Sequence, residues 1–332
     1  MASDNLPWIE KYRPQHFNKI ISHGQIIETL QNFIKNKTLP HLLFYGPPGS
    51  GKTSLINVCA RELYGDQYDL MVLEINASEE RGIQIVRENI QNFVSKKNVF
   101  SNDPNMFKLV ILDEADAMTS DAQAMLRRVI EKYTVNTRFC LICNYIKKIN
   151  IALQSRCIKF RFSSLNDKNI KIRVKEIAEL EKINLMQSGL NTIIKRAKGD
   201  MRKILNILQT VSMTYNKITE NNVNICLGYP TTNDIDTILV SLLNDTYNES
   251  YDIINNIIIN NGYSLIDIIN ELYEKLVSNI TSNNSDNMYD LQIINLLSQI
   301  EYNLSFCSTE TLQINSLIGI FKLIKEKYNL KK

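Results

Sequence analysis

Apolar positions in the first half of the chain follow two alternating rhythms. Short, nearly unbroken apolar runs at His41–Tyr45, Met71–Ile75, Lys108–Leu112, Thr137–Cys143 and Cys157–Phe162 read as strands. Among them Leu109-Val110-Ile111-Leu112 is continuous enough to imply burial on both faces. Between the runs the spacing stretches to three and four residues. Ser54–Tyr64, Ile83–Ser95 and Asp121–Tyr133 read as amphipathic helices, and Gln25–Lys37 as another ahead of the first strand. Strands and helices alternating in this way predict a mainly parallel five-stranded sheet with helices on both faces.

From about Ser164 the strand signal stops. Asn166–Leu180, Gly189–Ala197 and Asp200–Tyr215 read as short helices, enough for a small bundle. Gly228-Tyr229-Pro230 is a breaker cluster and marks the next boundary. Five further helices are expected at 232–244, 248–260, 263–279, 288–305 and 310–328, with the Ser- and Asn-rich run Ser278–Asn287 as a loop. The last of them carries Leu317, Ile320, Phe321, Ile324 and Tyr328 as one apolar stripe. Three domains follow: 1–163 α/β, 164–228 helical, 229–332 helical. The opening stretch Leu6–Pro14, with a proline near each end, is expected to run extended or turning. Its Trp8, Ile9 and Tyr12 must cover something apolar, either the domain surface or a flat purine ring.

Composition narrows the function only a little. At 44% hydrophobic and 22% charged residues, the chain has the balance of a globular protein. A net charge of +3 neither requires nor excludes nucleic acid. No stretch approaches a membrane span, and Met1-Ala2-Ser3-Asp4 lacks the regions of a signal peptide, so the chain is expected not to be secreted. Sequons such as Asn279-Ile280-Thr281 then carry no weight. Cys140-Leu141-Ile142-Cys143 has metal-site spacing but sits inside an expected buried strand, which favours structural thiols. The three histidines, His16, His23 and His41, stand near no expected nucleophile.

The chemistry is concentrated in Gly46-Pro47-Pro48-Gly49-Ser50-Gly51-Lys52-Thr53-Ser54. It fits the phosphate-loop pattern, between an apolar strand and a helix as that pattern requires. Glycines let successive backbone N–H groups and a helix N-terminus face an anion. Lys52 is placed for the β- and γ-phosphates of a nucleoside triphosphate, and the Thr53 hydroxyl for Mg²⁺. The strand Leu109–Leu112 runs into Asp113-Glu114-Ala115-Asp116. Asp113 is therefore the second candidate Mg²⁺ ligand, and Glu114 the candidate general base for an attacking water. Asn144 closes the next strand within reach of a γ-phosphate or that water. Ser155-Arg156-Cys157 opens the strand after it and sets Arg156 at the domain rim, where an arginine can complete a neighbouring subunit's site. Gly199-Asp200-Met201-Arg202 starts a helix from which Arg202 could reach the nucleotide. On the helix beginning near Gly82, Arg81, Gln84 and Arg87 lie off the apolar face of Ile83, Val86, Ile90 and Phe93. That edge suits either DNA phosphates or plain solvation.

Taken together, these residues resemble the small subunits of replication factor C, the eukaryotic clamp loader of the AAA+ ATPases. The resemblance rests on Trp8–Pro14, Gly46–Thr53, Asn76–Gly82, Asp113–Asp116, Leu126-Arg127-Arg128, Asn144, Ser155–Cys157 and Gly199–Arg202. The Ser-Arg-Cys triplet and the Trp-to-Pro opening are narrow marks of this family. Gln154–Cys157, Ala115–Met118 and Ile300–Leu304 narrow it further, to one of the small subunits. Ser50 stands where the family often has Thr, and Glu79 where it often has Asp; neither touches the ATPase chemistry.

The resemblance implies an AAA+ P-loop domain, an all-α lid and an all-α collar that joins five subunits into a hetero-pentamer. It implies ATP and Mg²⁺, with Ile9, Tyr12 and Arg13 added to the nucleotide site. It implies the sliding clamp (the PCNA ring) and primer–template DNA as partners, a nuclear location, DNA contact through Arg81, Gln84 and Arg87, and coupling of that contact to the ATP site through the helix of Arg127 and Arg128. Two alternatives are a DNA-translocating AAA+ motor and a ring subunit that binds ATP without hydrolysing it. The all-helical C-terminal half argues against the motor, and intact Lys52, Thr53, Asp113 and Glu114 argue against the silent subunit.

Overall fold

The computed structural model describes residues 6–78, 83–95, 106–282, 288–306 and 309–328. Two compact units emerge, one of Met1–Leu185 with Ile193–Gln209 and one of Met186–Thr192 with Thr210–Lys332.

The first unit is built on a five-stranded sheet: β1 Leu42–Tyr45, β2 Val72–Asn76, β3 Lys108–Asp113, β4 Thr137–Cys143 and β5 Ile158–Arg161. The order is β2-β3-β4-β1-β5, and every pairing is parallel. Alternation along the central strands divides two cores. Leu42, Phe44, Leu109, Ile111, Cys140 and Ile142 belong to one, and Leu43, Val110, Leu112, Phe139, Leu141 and Cys143 to the other. This is period-two geometry with both faces covered. It also separates the two thiols, because positions three apart on a strand face opposite ways. Cys140 and Cys143 therefore cannot hold one metal between them, and among the described residues no cluster with metal-ligand character occurs. The edge strand β5 differs: its Ile158, Lys159 and Arg161 are exposed, and charge at an edge discourages pairing with another chain.

Several helices start where capping residues stand. Thr119 accepts a hydrogen bond from Ala122 N–H ahead of Ser120–Tyr133, and Asn166 accepts one from Lys168 N–H ahead of Asp167–Leu180. The opening stretch, expected to run extended or turning, takes the turning path. Trp8–Lys11 forms a single helical turn capped by Pro7, whose carbonyl accepts from Glu10 and Lys11 N–H.

The second unit is mainly helical, with the two-residue strand Lys217–Ile218; that strand and Asn184–Leu185 in the first unit correct the expectation of none after Ser164. Thr232–Asn244, Tyr247–Asn261, Leu265–Ser282, Met288–Leu304 and Glu310–Lys327 share one core, with Ile238, Leu242, Leu272, Leu297, Leu317 and Phe321 buried in it. Capping boxes at Thr231/Asp234 and Thr246/Glu249 fix two of the starts. The helix Glu220–Leu227, between Thr219 and Gly228, was absent from the sequence reading. Among the described residues no helix is long and apolar enough to cross a membrane.

Candidate active site

The loop between β1 and the helix Lys52–Tyr64 turns back on itself through backbone that only glycine adopts easily. Gly46 has φ of +148°, and a Cβ there would lie 2.2 Å from the Phe162 carbonyl oxygen. Gly49 has φ of +65°, and a Cβ there would lie 1.8 Å from Asp200 Oδ1. Both glycines are therefore required by contact as well as by conformation. The Asp200 carboxylate occupies that space because it caps the helix Met201–Thr214, accepting from Arg202 N–H at 2.9 Å.

The parallel sheet then brings distant residues to this loop. Because β1 lies beside β4 and β4 beside β3, the C-terminal ends of all three meet above the loop. That edge is where ligands bind in open parallel sheets. Lys52 Nζ donates to the carbonyls of Gly46 (2.9 Å) and Pro47 (2.8 Å) and to Asn144 Oδ1 (3.0 Å). Thr53 donates its hydroxyl to Asp113 Oδ2 at 2.7 Å. Glu114 is exposed on the next position of the chain, in left-handed backbone at φ of +53°. A glutamate rarely adopts that conformation, and strain of this kind collects at functional sites. Burial lowers the pKa of the Lys52 ammonium; Asp113 opposes this and Arg202 adds to it. A polyanion beside Lys52 would favour the charged form again.

These groups line a cavity of about 380 Å³. Its phosphate end has Pro48 to Ser54, Asp113, Glu114 and Asn144; Arg202 lines it from the first turn of Met201–Thr214. Ile9, Tyr12 and Arg13 line the same cavity, so the structure collects every expected nucleotide-contacting side chain except the phosphate-loop start. Gly46 and Pro47 enter through their carbonyls on Lys52.

Arg156 is absent from the lining. It follows the short helix Ile151–Gln154, where its guanidinium donates to the Ala152 carbonyl at 2.6 Å and pairs with Glu131. Arg127 Nε reaches the same Glu131 oxygen at 3.0 Å. Together the two arginines hold the Glu131 carboxyl below its ordinary range, the Arg127 hydrogen bond contributing most. Of the expected DNA-contacting residues, Arg81 lies outside the described residues. Gln84 and Arg87 fall on the helix Ile83–Ser95, but their side chains also lie outside what is described.

The sequence reading missed several lining residues. Asn76 ends β2, paired with Asp113 across the sheet, and its strand-end position was a usable signal. Ile20, Ile21 and Ser22 follow the segment Trp8–Pro14 and carry no motif. Arg173 and Leu205 line the cavity from two helices whose spacing announces only an apolar face.

Comparison with known proteins agrees with this geometry. A family model described as "ATPase family associated with various cellular activities (AAA)" matches residues 42–165, and "Replication factor C C-terminal domain" matches 230–319. A Dictyostelium discoideum protein named probable replication factor C subunit 5 is 50% identical over 97% of this chain and 92% of its own length. The human replication factor C subunit 5 is 46% identical, covering 97% and 93%. The Saccharomyces cerevisiae replication factor C subunit 3 is 40% identical, covering 99% and 97%. A solved structure of the Thermotoga maritima RuvB Holliday junction branch migration motor superposes with a TM-score of 0.53 at 18% identity, over 70% of this chain and 79% of that one. At that identity the likeness speaks for the fold alone.

Proposed function

The chain belongs to the replication factor C family and is an AAA+ ATPase subunit of that clamp loader; from that premise we propose how its site works and with what partners. It works within a hetero-pentamer of replication factor C subunits, in the nucleus. ATP-bound loader opens the sliding clamp and places it on primer–template DNA, and hydrolysis lets go. The three-part division at 163/164 and 228/229 serves this: nucleotide domain, lid, and collar for assembly.

The observation that carries the reading is the meeting of the phosphate loop with the acidic strand end, Thr53 on Asp113 at 2.7 Å and Lys52 on Asn144 at 3.0 Å. Lys52 neutralises charge on the β- and γ-phosphates, and Asn144 orients the γ-phosphate or the water. Glu114 takes the proton of the attacking water. The hydroxyl and carboxylate oxygens of Thr53 and Asp113 are the hard donors Mg²⁺ prefers; they would hold it, and it would neutralise phosphate charge there. Arg202 closes over the phosphates from the lid. Ile9, Tyr12 and Arg13 form the wall for the base. Arg81, Gln84 and Arg87 meet DNA phosphates, and the helix of Arg127 and Arg128 carries that contact toward the ATP site.

Arg156 acts in trans, and its pairing with Glu131 outside the cavity supports that role. The test is a reconstituted complex carrying Arg156→Ala in this subunit, with nucleotide turnover followed at each site separately. The expected result is intact nucleotide binding here and a loss of hydrolysis at the adjacent subunit of roughly 10³-fold or more. Clamp loading falls with it. A defect confined to this chain's own site, or none, overturns the trans role.

A further inference from the structure

The base end of the cavity depends on a segment that cannot hold itself. Trp8–Lys11 is one helical turn, and a single turn fixes more dihedrals than its hydrogen bonds repay. What holds it is the lid. Trp8 N–H donates to Gln209 Oε1 at 3.1 Å, and Lys11 Nζ donates to Glu181 Oε1 at 2.7 Å. The Tyr12 hydroxyl donates to the same Glu181 oxygen. The Tyr12 ring meets Trp8 edge-on, centroids 6.2 Å apart, so two contacts fix its orientation.

Glu181 itself stands where local rules would not put a carboxylate. It is the C-cap of the helix Asp167–Leu180, facing the negative end of the helix dipole, and its side chain is only 19% exposed. Burial alone would raise its pKa, yet the hydrogen bonds from Lys11 and Tyr12 hold it below the ordinary carboxyl range. The compensating partners are 170 and 169 residues away in sequence. A local cost offset only by a distant contact is where a functional role is to be sought. Glu181 does not line the cavity, but Tyr12 does, and so does Arg173 on the helix that Glu181 ends.

We propose that Glu181 is a positioning residue for the base end of the nucleotide site, fixing Lys11 and Tyr12 so that residues 9–13 stand as a preformed wall. The proposal rests on the nucleotide reading of this cavity. Without the anchor, each binding event must first order the segment, and apparent affinity falls by the fraction of time the wall is formed. The phosphate end, held by its own loop and the sheet, is untouched.

The test is calorimetric titration of the full chain with ATP, ADP and inorganic tripolyphosphate, for the parent, Glu181→Ala, Glu181→Gln and Tyr12→Phe. Glu181→Ala is expected to weaken ATP and ADP alike by roughly tenfold, with tripolyphosphate unchanged. Tyr12→Phe weakens them less, and adds nothing in the Glu181→Ala background. Glu181→Gln, which keeps an acceptor for Tyr12 but loses the charge facing Lys11, falls between and serves if the alanine variant does not fold. Equal losses for tripolyphosphate and ATP would mean a general structural defect and overturn the proposal, as would unchanged ATP affinity. If the parent binds neither ATP nor ADP, the nucleotide reading falls as well; if it binds both and the Glu181 variants match it, only this inference falls.

Discussion

At the phosphate end of the cavity, consecutive residues of one loop do most of the building, and the sheet adds Asp113 and Asn144 at fixed strand ends. Away from that loop and those strand ends the lining is gathered from separate places in the chain: Ile9, Glu10, Tyr12 and Arg13, Ile20 to Ser22, Arg173 and Leu205. The first end is stiff because strands and glycine backbone define it. The second is a one-turn helix held by side-chain contacts, so it is the end whose order depends on single hydrogen bonds. On the function proposed above, the phosphate end carries the catalytic groups and the tethered end the affinity for the nucleoside.

The largest expected effect lies at the stiff end. Lys52→Met keeps most of the stem volume and removes the ammonium that bonds Gly46, Pro47 and Asn144. ATP and tripolyphosphate binding should both fall by roughly a hundredfold or more, measured by the same titrations. Equal loss for both ligands is the mirror image of the Glu181 result, and loss for ATP alone would break the comparison.

A smaller effect concerns the scaffold beneath the phosphate end. His41 precedes β1; it is 9% exposed, and its Nδ1 accepts from Phe139 N–H at 3.2 Å. Burial, then the nearby Arg138 charge, lowers its pKa from 6.5 to about 4. The unfolded chain therefore takes up this proton first. The contribution is complete above pH 6.5 and is lost as pH falls toward 4. Stability should drop by on the order of 3 kcal/mol over that window, and His41→Gln should flatten this part of the pH dependence. Denaturant midpoints at several pH values check it, and identical slopes in both proteins would refute it.

The difference between the two ends also explains what could be read without a structure. A phosphate loop is legible because its residues are neighbours in sequence and each answers a backbone or charge requirement. The acidic end of β3 and Asn144 were legible because parallel sheets put strand ends on one edge. Arg173 was not, because Ile170, Val174 and Ile177 tell which face of its helix is buried but not what the remaining faces meet. Glu181 was hidden for the same reason: nothing at a helix end reveals a partner at position 12. The path of Trp8–Lys11 was legible only as extended or turning, because the two prolines permit either; its helical geometry was not.

The central claim is that this chain hydrolyses ATP with Glu114 as the base, at a site whose binding groups lie elsewhere. The direct test is a reconstituted complex carrying Glu114→Gln in this subunit alone, with bound ATP and ATP hydrolysed in a single turnover counted on the same sample. The account predicts unchanged ATP binding and a hydrolysis yield lower by this site's share, with its rate down by roughly 10²–10⁴-fold. Loss of bound ATP in proportion to the loss of hydrolysis, or hydrolysis at the parent level, would contradict it.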